Sequence, residues 1–179
     1  LYEIASRYNL SLVIRCGISN GSGCETYSAT GFGRGALTEI IECGEIKKEN
    51  RNVYLSSDGG LKDGGYISKA FLAGADYVHI GGMFARSLEA ETHLNGDGTY
   101  FGLASDKNQI LSTGKKYRHS EGKEYLINKE ELKPLNDIVN ELWGNVSSAV
   151  SYSGFDSLSK AIGNGVFELK HTSLPPRSR

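Results

Sequence analysis

Three short apolar runs, separated by segments with a helical repeat, are the feature that most limits what this chain can fold into. The runs cover residues 12–16, 52–56 and 77–80, and each has the length of one strand. Between them, residues 36–46 and 65–73 place apolar side chains at the spacing of one helix face. Strands that alternate with helices predict an α/β fold with a parallel sheet and right-handed crossovers.

Glycines and small polar residues follow each of the three runs. They are Gly17, Gly21 and Gly23 after the first run, Ser57-Asp58-Gly59-Gly60 after the second, and Gly81-Gly82 after the third. Ligands of α/β folds bind at the carboxyl ends of the strands, and glycine lets backbone N–H groups approach an anion closely. One glycine pair is most simply a tight turn, but two pairs after successive strands favour a phosphate site at Gly60, Gly81 and Gly82.

The three cysteines differ in their surroundings. Cys16 and Cys43 lie in apolar patterns that predict core positions, whereas Cys24 lies among glycine, serine and glutamate. An odd number of cysteines without metal-ligand spacing supports neither a disulfide framework nor a zinc site. Cys24 is therefore the candidate nucleophile, with an inert cysteine as the alternative.

Composition excludes several classes of partner. The net charge of the 179 residues is −1, which gives no bias towards nucleic acid, and no apolar run approaches the length that spans a bilayer. We therefore expect a cytoplasmic protein that binds neither nucleic acid nor membrane. Basic residues at 170–171 and 177–179 are interpreted as a solvated tail.

Outside the alternating segment, the patterns are less regular. Residues 1–8, 135–146 and 157–162 have helical periodicity, and the prolines in 174–176 indicate a stop. Residues 91–130 are polar, and 95–98 within them read as a hairpin turn. A polar segment of this length is usually functional or mobile.

Five stretches carry a resemblance to a known family. They read GISNGSGCETYSATGFGRGALTEIIEC, SDGGLKDGGYISKAFLAGADYVHIGGMFA, YFGLAS, YRHSEGK and SSAVSYSG. In this order and at these intervals they resemble the IMP dehydrogenase and GMP reductase family, with the closer likeness to its reductase branch.

The resemblance implies a fold and an assembly. The family has a TIM barrel of eight β/α units, and this chain is similar to its C-terminal part: about three strands with their helices, a flap at about 91–130, and C-terminal helices. Residues 1–179 would then form one partial catalytic domain. Three strands cannot close a barrel. Family members form homotetramers, in which a neighbouring subunit completes the cofactor site.

The resemblance also implies roles for individual residues. Cys24 would attack the purine at C2, and Thr26 would act with Glu121 in proton transfer. Backbone carbonyls of Ser19, Gly21 and Cys24 would bind a monovalent cation such as K⁺. The implied nucleotide contacts are Ser22, Asp58, Gly59, Gly60, Gly81 and Gly82 for ribose and phosphate, and Gly102, Leu103, Ala104, Arg118, His119, Ser120 and Gly122 for the base. The implied contacts of the nicotinamide cofactor are Ile18, Ser19, Leu103, Tyr117, Arg118, Ser148, Ala149, Val150 and Ser151.

The implied activity is the NADPH-dependent conversion of GMP to IMP and ammonia through a covalent cysteine adduct. Displacement of an amino group needs a soft nucleophile, a proton donor and a reductant, and cysteine, threonine with glutamate, and a reduced nicotinamide supply these. One alternative is IMP dehydrogenase, which hydrolyses the adduct with a flap arginine and tyrosine. The other is a non-catalytic module that only binds a purine nucleotide.

Overall fold

The protein's structure, a computed structural model, describes residues 2–94 and 96–168. Its centre is a parallel sheet of three strands in the order β1, β2, β3. The strands are β1 (Leu12–Cys16), β2 (Val53–Asp58) and β3 (Tyr77–His79). Leu12 lies opposite Val53, and Ser56 lies opposite Tyr77, so all three strands end at the same edge.

Helices connect and flank the strands. Before and between β1 and β2 lie α1 (Tyr2–Arg7), α2 (Thr26–Thr30) and α3 (Ala36–Glu49), and α4 (Gly64–Ala73) leads from β2 to β3. The start of α4 is fixed by Asp63, whose carboxylate accepts from the N–H groups of Gly65 and Tyr66 at 2.9 and 3.1 Å. These bonds satisfy donors that the first helical turn leaves without partners.

Two hydrophobic clusters hold the layers together. The first joins the sheet to α3 and α4, and the second lies between α4 and the C-terminal helices α7 (Leu135–Tyr152) and α8 (Leu158–Ala161). The first contains Cys16, Ile40, Val53, Leu55, Ala70 and Ala75, and the second contains Ile67, Val146, Val150 and Ala161. The strands and their glycine loops are thus fixed from one side by α3 and α4.

The polar segment after β3 is folded rather than structureless. A 3₁₀ turn (Phe84–Arg86) and a short helix α5 (Glu91–Leu94) precede strand β4 (Thr99–Phe101). Helix α6 (Asp106–Thr113) then leads towards strand β5 (Glu124–Leu126), and a second 3₁₀ turn spans Lys129–Glu131. Strands β4 and β5 pair antiparallel, with Tyr100 opposite Tyr125.

The hairpin predicted at residues 95–98 is wrong. The strand β4 that follows this segment pairs with β5, more than twenty residues further along, while a helix, α5, precedes it. Asn95 lies outside the described residues, as do Leu1, the basic positions 170–171 and 177–179, and the predicted stop at 174–176. The Asp97 carboxylate accepts from the Thr99 N–H at 3.0 Å, so this polar stretch forms a local turn into β4.

Two predicted helices are longer in the structure than the sequence pattern indicated. The helix predicted over 135–146 continues to Tyr152, and the helix predicted over 36–46 continues to Glu49. In the described part of the chain, no helix combines the length and the apolar character needed to cross a bilayer. Among the residues that the structure describes, β1 and β3 each pair only with β2 in the parallel sheet, so this sheet has two open edges and is not a closed barrel.

We expect Leu55→Ala to lower the free energy of unfolding by about 2 to 5 kcal/mol. Leu55 is fully buried in the central strand, so its truncation leaves a cavity between the sheet and the helices. Urea denaturation measures the change, and Val13→Ala on the outer strand, where the side chain is largely exposed, is the control. Equal losses in the two variants would show that the core does not lie where the structure has it.

Candidate active site

The loop that carries Cys24 crosses the end of the neighbouring strand at Gly17. This residue has φ of +128°, and a side chain there would overlap the backbone carbonyl of Asp58. The N–H of Gly17 donates to the carboxylate of Glu39 on α3. Only glycine fits this close approach, so the loop after β1 is pressed against the end of β2.

Cys24, Thr26 and Glu121 form a chain of hydrogen bonds. The Cys24 Sγ donates to the Thr26 Oγ1 at 3.3 Å, and the Thr26 hydroxyl donates to the Glu121 Oε2 at 2.8 Å. Thr26 is the first residue of α2, and Glu121 comes from the segment before β5. A thiol is thus linked to a carboxylate through one hydroxyl, which is an arrangement that can move a proton.

Backbone pairing brings Glu121 to the cysteine loop. The Glu25 N–H donates to the Glu121 carbonyl at 2.7 Å, and the Lys123 N–H donates to the Gly23 carbonyl at 2.8 Å. Gly122 lies between them, and a Cβ there would be 2.5 Å from the Ser105 nitrogen. The segment therefore lies between the cysteine loop and the backbone of Ala104 and Ser105, without room for a side chain at its centre.

A buried amide organises the rest of the flap, and sequence analysis missed it. The Gln109 Oε1 accepts from the N–H groups of Tyr117 and Arg118 at 3.2 and 3.1 Å. Ser120 adds hydrogen bonds to the carbonyls of Ala104 and Gly122 at 3.1 and 3.0 Å. A glutamine within a polar helix carries no pattern that distinguishes it from a solvated residue, so only the fold identifies it.

A cavity of about 800 Å³ opens where the strands end. Its lining includes Ser22, Asp58, Gly59, Gly60, Gly81 and Gly82, which are the residues predicted to contact ribose and phosphate. Gly59 and Gly60 have φ of +79° and +73°, and a Cβ on Gly59 would lie 2.5 Å from the Gly21 nitrogen. These glycines are therefore required by the backbone path as well as suited to an anion.

Several residues of the cavity were absent from the sequence-based set. Tyr100, Tyr125 and Arg86 line it, together with the first half of α7. The Tyr125 hydroxyl is 3.2 Å from the Ser22 Oγ, and the Arg86 Nη1 donates to the Gly82 carbonyl at 3.0 Å. Burial, then the neighbouring Tyr125 and Asp58, raise the pKa of Tyr100, so its hydroxyl stays a donor. The available signal was one tyrosine in each of two short segments, but only the pairing of β4 with β5 places Tyr100 opposite Tyr125.

The residues predicted to contact the base differ in their exposure. Gly102 and Ala104 are partly buried, with the Gly102 N–H donating to the Lys123 carbonyl at 3.0 Å, while Leu103 is 85% exposed. His119 is exposed, as is Arg118, whose guanidinium lies over the Tyr117 ring.

The predicted cofactor residues are divided between two places. Ile18 and Tyr117, 61% and 56% exposed, present apolar surface near the cysteine loop and on the flap. The segment 148–151 instead lies in the last turns of α7, and the cavity is lined by the first half of that helix. Val150 is packed in the second hydrophobic cluster, whereas Ser148 and Ser151 are exposed and Ala149 is partly buried. The structure does not bring these four residues to the cavity.

The predicted cation ligands, the backbone carbonyls of Ser19, Gly21 and Cys24, all lie on the cysteine loop. Ser19 has φ of +68°, and the Gly21 carbonyl accepts from the Cys24 N–H at 3.0 Å, which leaves that oxygen one further lone pair. Backbone oxygens suit a hard cation. Among the described residues, no group of three or more His, Cys, Asp or Glu side chains could hold a metal ion.

Comparison with known proteins now identifies the family. The sequence matches the model of the IMP dehydrogenase / GMP reductase domain over residues 10–173, so the chain belongs to this family. It is 33% identical to GMP reductase of Caenorhabditis elegans over 162 residues, which cover 87% of this chain and 44% of that protein. With GMP reductase of Phytophthora infestans the identity is 33% over 155 residues, or 83% of this chain and 42% of the relative.

A solved structure agrees with the sequence comparison. A cysteine-to-alanine variant of GMP reductase from Trypanosoma brucei, in complex with guanosine 5′-monophosphate, superimposes with a TM-score of 0.73 at 32% identity. The match covers 82% of this chain and 32% of the other. The predicted fold class, part of a TIM barrel, is confirmed. The chain spans less than half the length of the curated relatives it matches.

We expect iodoacetamide to label Cys24 faster than Cys16 near pH 8. Cys16 is only 2% exposed, and burial, with Cys43 and Glu39 nearby, raises its pKa to about 12. Thiolate forms at Cys16 only as the pH approaches that value, whereas Cys24 is partly exposed in a polar loop. Mass spectrometry of the labelled peptides measures the two rates, with the urea-unfolded chain as the control. Equal rates in the folded chain would contradict the placement of Cys16 in the core.

Proposed function

We propose that this chain carries the nucleophile and nucleotide-binding part of a GMP reductase, which reduces GMP to IMP and ammonia with NADPH. The observation that supports this most directly is the hydrogen-bonded chain from Cys24 through Thr26 to Glu121. Cys24 lies on the same glycine loop as Ser22, and Ser22 lines the 800 Å³ cavity. The relatives named above are GMP reductases, and one was solved with GMP.

In the proposed reaction, the Cys24 thiolate forms a bond to C2 of the purine. The Thr26 hydroxyl passes the thiol proton to the Glu121 carboxylate, because the two hydrogen bonds run in that direction. The tetrahedral adduct then loses the 2-amino group, which takes this proton and leaves as ammonia. A thioimidate between Cys24 and C2 remains, and its reduction forms a new C–H bond at C2 and breaks the C2–S bond, which releases the thiolate and IMP.

The nucleotide would be held by its phosphate far from the reacting carbon. Gly60, Gly81, Gly82 and Ser22 line the cavity, and their backbone N–H groups and the Ser22 hydroxyl would bind the phosphate. Asp58 remains available for ribose hydroxyls through its second oxygen, since Arg15 binds the first at 2.8 Å. Binding energy at the phosphate can position C2 against the thiol.

Exposed apolar side chains on the cysteine loop, after β4 and on the flap would suit a nicotinamide cofactor. Ile18, Leu103 and Tyr117 would pack against its ring, and Arg118 would meet its charged part. When bound, this cofactor supplies the two electrons and the hydrogen that C2 receives. The segment 148–151, the K⁺ ligands and the homotetramer stay predictions, and a neighbouring copy is the partner that would bring residues 148–151 to a cofactor.

IMP dehydrogenase is the alternative within the family. It would share Cys24 and the phosphate loops, but the flap sequence Tyr117 to Lys123 resembles that of the reductase branch. The third reading is a purine-nucleotide-binding module without turnover, which the cavity alone would support, because nucleotide binding does not require the hydrogen-bonded chain from Cys24 to Glu121.

The loss of NADPH absorbance with GMP, measured on the 179-residue chain, separates these functions. NADPH oxidation with release of ammonia and IMP supports the reductase. Formation of XMP from IMP and NAD would assign the dehydrogenase instead. Binding of GMP with neither reaction would leave the binding module.

We expect Glu121→Gln to lower the rate of ammonia release by about 10²-fold, with a smaller change in GMP affinity. The amide is isosteric, but it cannot take and return the proton that Thr26 carries. Ammonia release in single-turnover experiments measures the effect, on protein that has shown turnover. Glu25→Gln is the matched control, because Glu25 meets this segment through its backbone N–H. An unchanged rate in Glu121→Gln would assign the proton transfer to Thr26 with water.

A further inference from the structure

Three polar side chains from separate segments converge on one point beside Gly82. A Cβ built on Gly82 would lie 3.3 Å from the Ser22 Oγ, 3.3 Å from the Tyr125 hydroxyl and 3.9 Å from the Arg86 Nη1. All four residues line the 800 Å³ cavity. The side of Gly82 that lacks a side chain therefore faces a group of hydrogen-bond donors.

Some N–H and O–H groups of these three side chains remain available for a ligand. Arg86 donates through Nη1 to the Gly82 carbonyl at 3.0 Å and through Nε to Glu131 at 2.9 Å, which are two of its five N–H groups. The hydroxyls of Tyr125 and Ser22 share one hydrogen bond of 3.2 Å, so one hydroxyl hydrogen remains for a ligand.

The position of Arg86 is fixed by its backbone. It ends the 3₁₀ turn that follows Gly81 and Gly82, its N–H donates to the Met83 carbonyl at 3.1 Å, and its carbonyl accepts from Lys133 at 3.2 Å. Tyr125 is fixed from the flap, where its ring lies 5.2 Å from that of Tyr100. The donors are thus set before a ligand arrives, which lowers the entropy cost of binding.

The carboxylates of the cavity are engaged elsewhere. Asp58 pairs with Arg15, Glu141 with Lys133, and Asp63 caps α4. Glu131 is the acidic partner of Arg86, and both side chains are about half exposed, so this is a surface pair of small net strength. A phosphate, which carries more negative charge than the Glu131 carboxylate, can bind the Arg86 guanidinium beside Glu131.

We propose that Arg86 and Tyr125 join Ser22 in a side-chain anion subsite that binds the phosphate of the nucleotide, in addition to the backbone N–H groups of the glycine pairs. This proposal rests on the proposed function. It makes Arg86 and Tyr125 specificity-determining residues that select a phosphorylated purine over the nucleoside. It also connects the phosphate to the flap, because Tyr125 follows Glu121 by four residues on β5.

The test is calorimetric binding of GMP and of guanosine to the 179-residue chain. We expect Arg86→Ala to weaken GMP binding by about tenfold or more, as for a lost charged hydrogen bond, and to leave guanosine binding unchanged. Arg86→Lys keeps the charge without the planar fork and is expected to bind GMP with intermediate affinity. Tyr125→Phe removes one hydroxyl and is expected to show a smaller loss, again for GMP alone.

Matched controls lie at the other end of the sheet. Arg51 precedes β2 at the edge opposite the cavity, so Arg51→Ala makes the same charge change away from the subsite. Tyr8→Phe removes an exposed hydroxyl after α1. Both controls are expected to bind GMP as the parent does. Guanosine binding equal to that of the parent shows that each variant keeps its fold.

The outcomes separate this subsite from the function it depends on. If the parent binds GMP, and the Arg86→Ala and Tyr125→Phe variants bind it with the same affinity, the subsite is overturned and the proposed function is not. A parent chain that binds neither GMP nor guanosine overturns the proposed function and the subsite together. A loss in Arg86→Ala that shrinks as salt concentration rises supports a charge-dependent contact.

Discussion

The pairing of residues 23–25 with residues 121–123 is the interaction on which the candidate site depends. Two backbone hydrogen bonds, of 2.7 and 2.8 Å, connect the loop after β1 to a segment almost one hundred residues later. They hold the Glu121 side chain within 2.8 Å of Thr26, and Thr26 accepts from Cys24. Without this pairing, Thr26 would lose the Glu121 carboxylate that accepts its hydrogen bond.

The glycines matter through the space that they leave empty. At Gly17 the cysteine loop passes against the Asp58 carbonyl, at Gly59 the end of β2 passes against Gly21, and at Gly122 the flap passes against Ser105. Each close approach brings together two segments that also carry polar groups facing the cavity or the cysteine. The sheet supplies a common edge, and the glycines bring the loops at that edge into contact.

Sequence reasoning succeeded where the signal is local. The predicted strand at 12–16 matches β1, and α4 begins one residue before its predicted start, because apolar spacing and flanking glycines define such elements. It failed in the flap, since β4 and β5 are three residues each and their pairing depends on the distant contact with the cysteine loop. Arg86 and Tyr125 were missed for the same reason: they meet only when the turn after β3 and the flap are both in place.

A crystal structure of this chain with GMP tests the central claim most directly, namely that the cysteine loop, the strand ends and the flap form one purine nucleotide site. We expect the phosphate beside Ser22 and Gly82, and C2 of the purine facing the Cys24 Sγ under the flap. A nucleotide bound outside the cavity, or bound within it with C2 directed away from Cys24, would show that these three segments do not form one site.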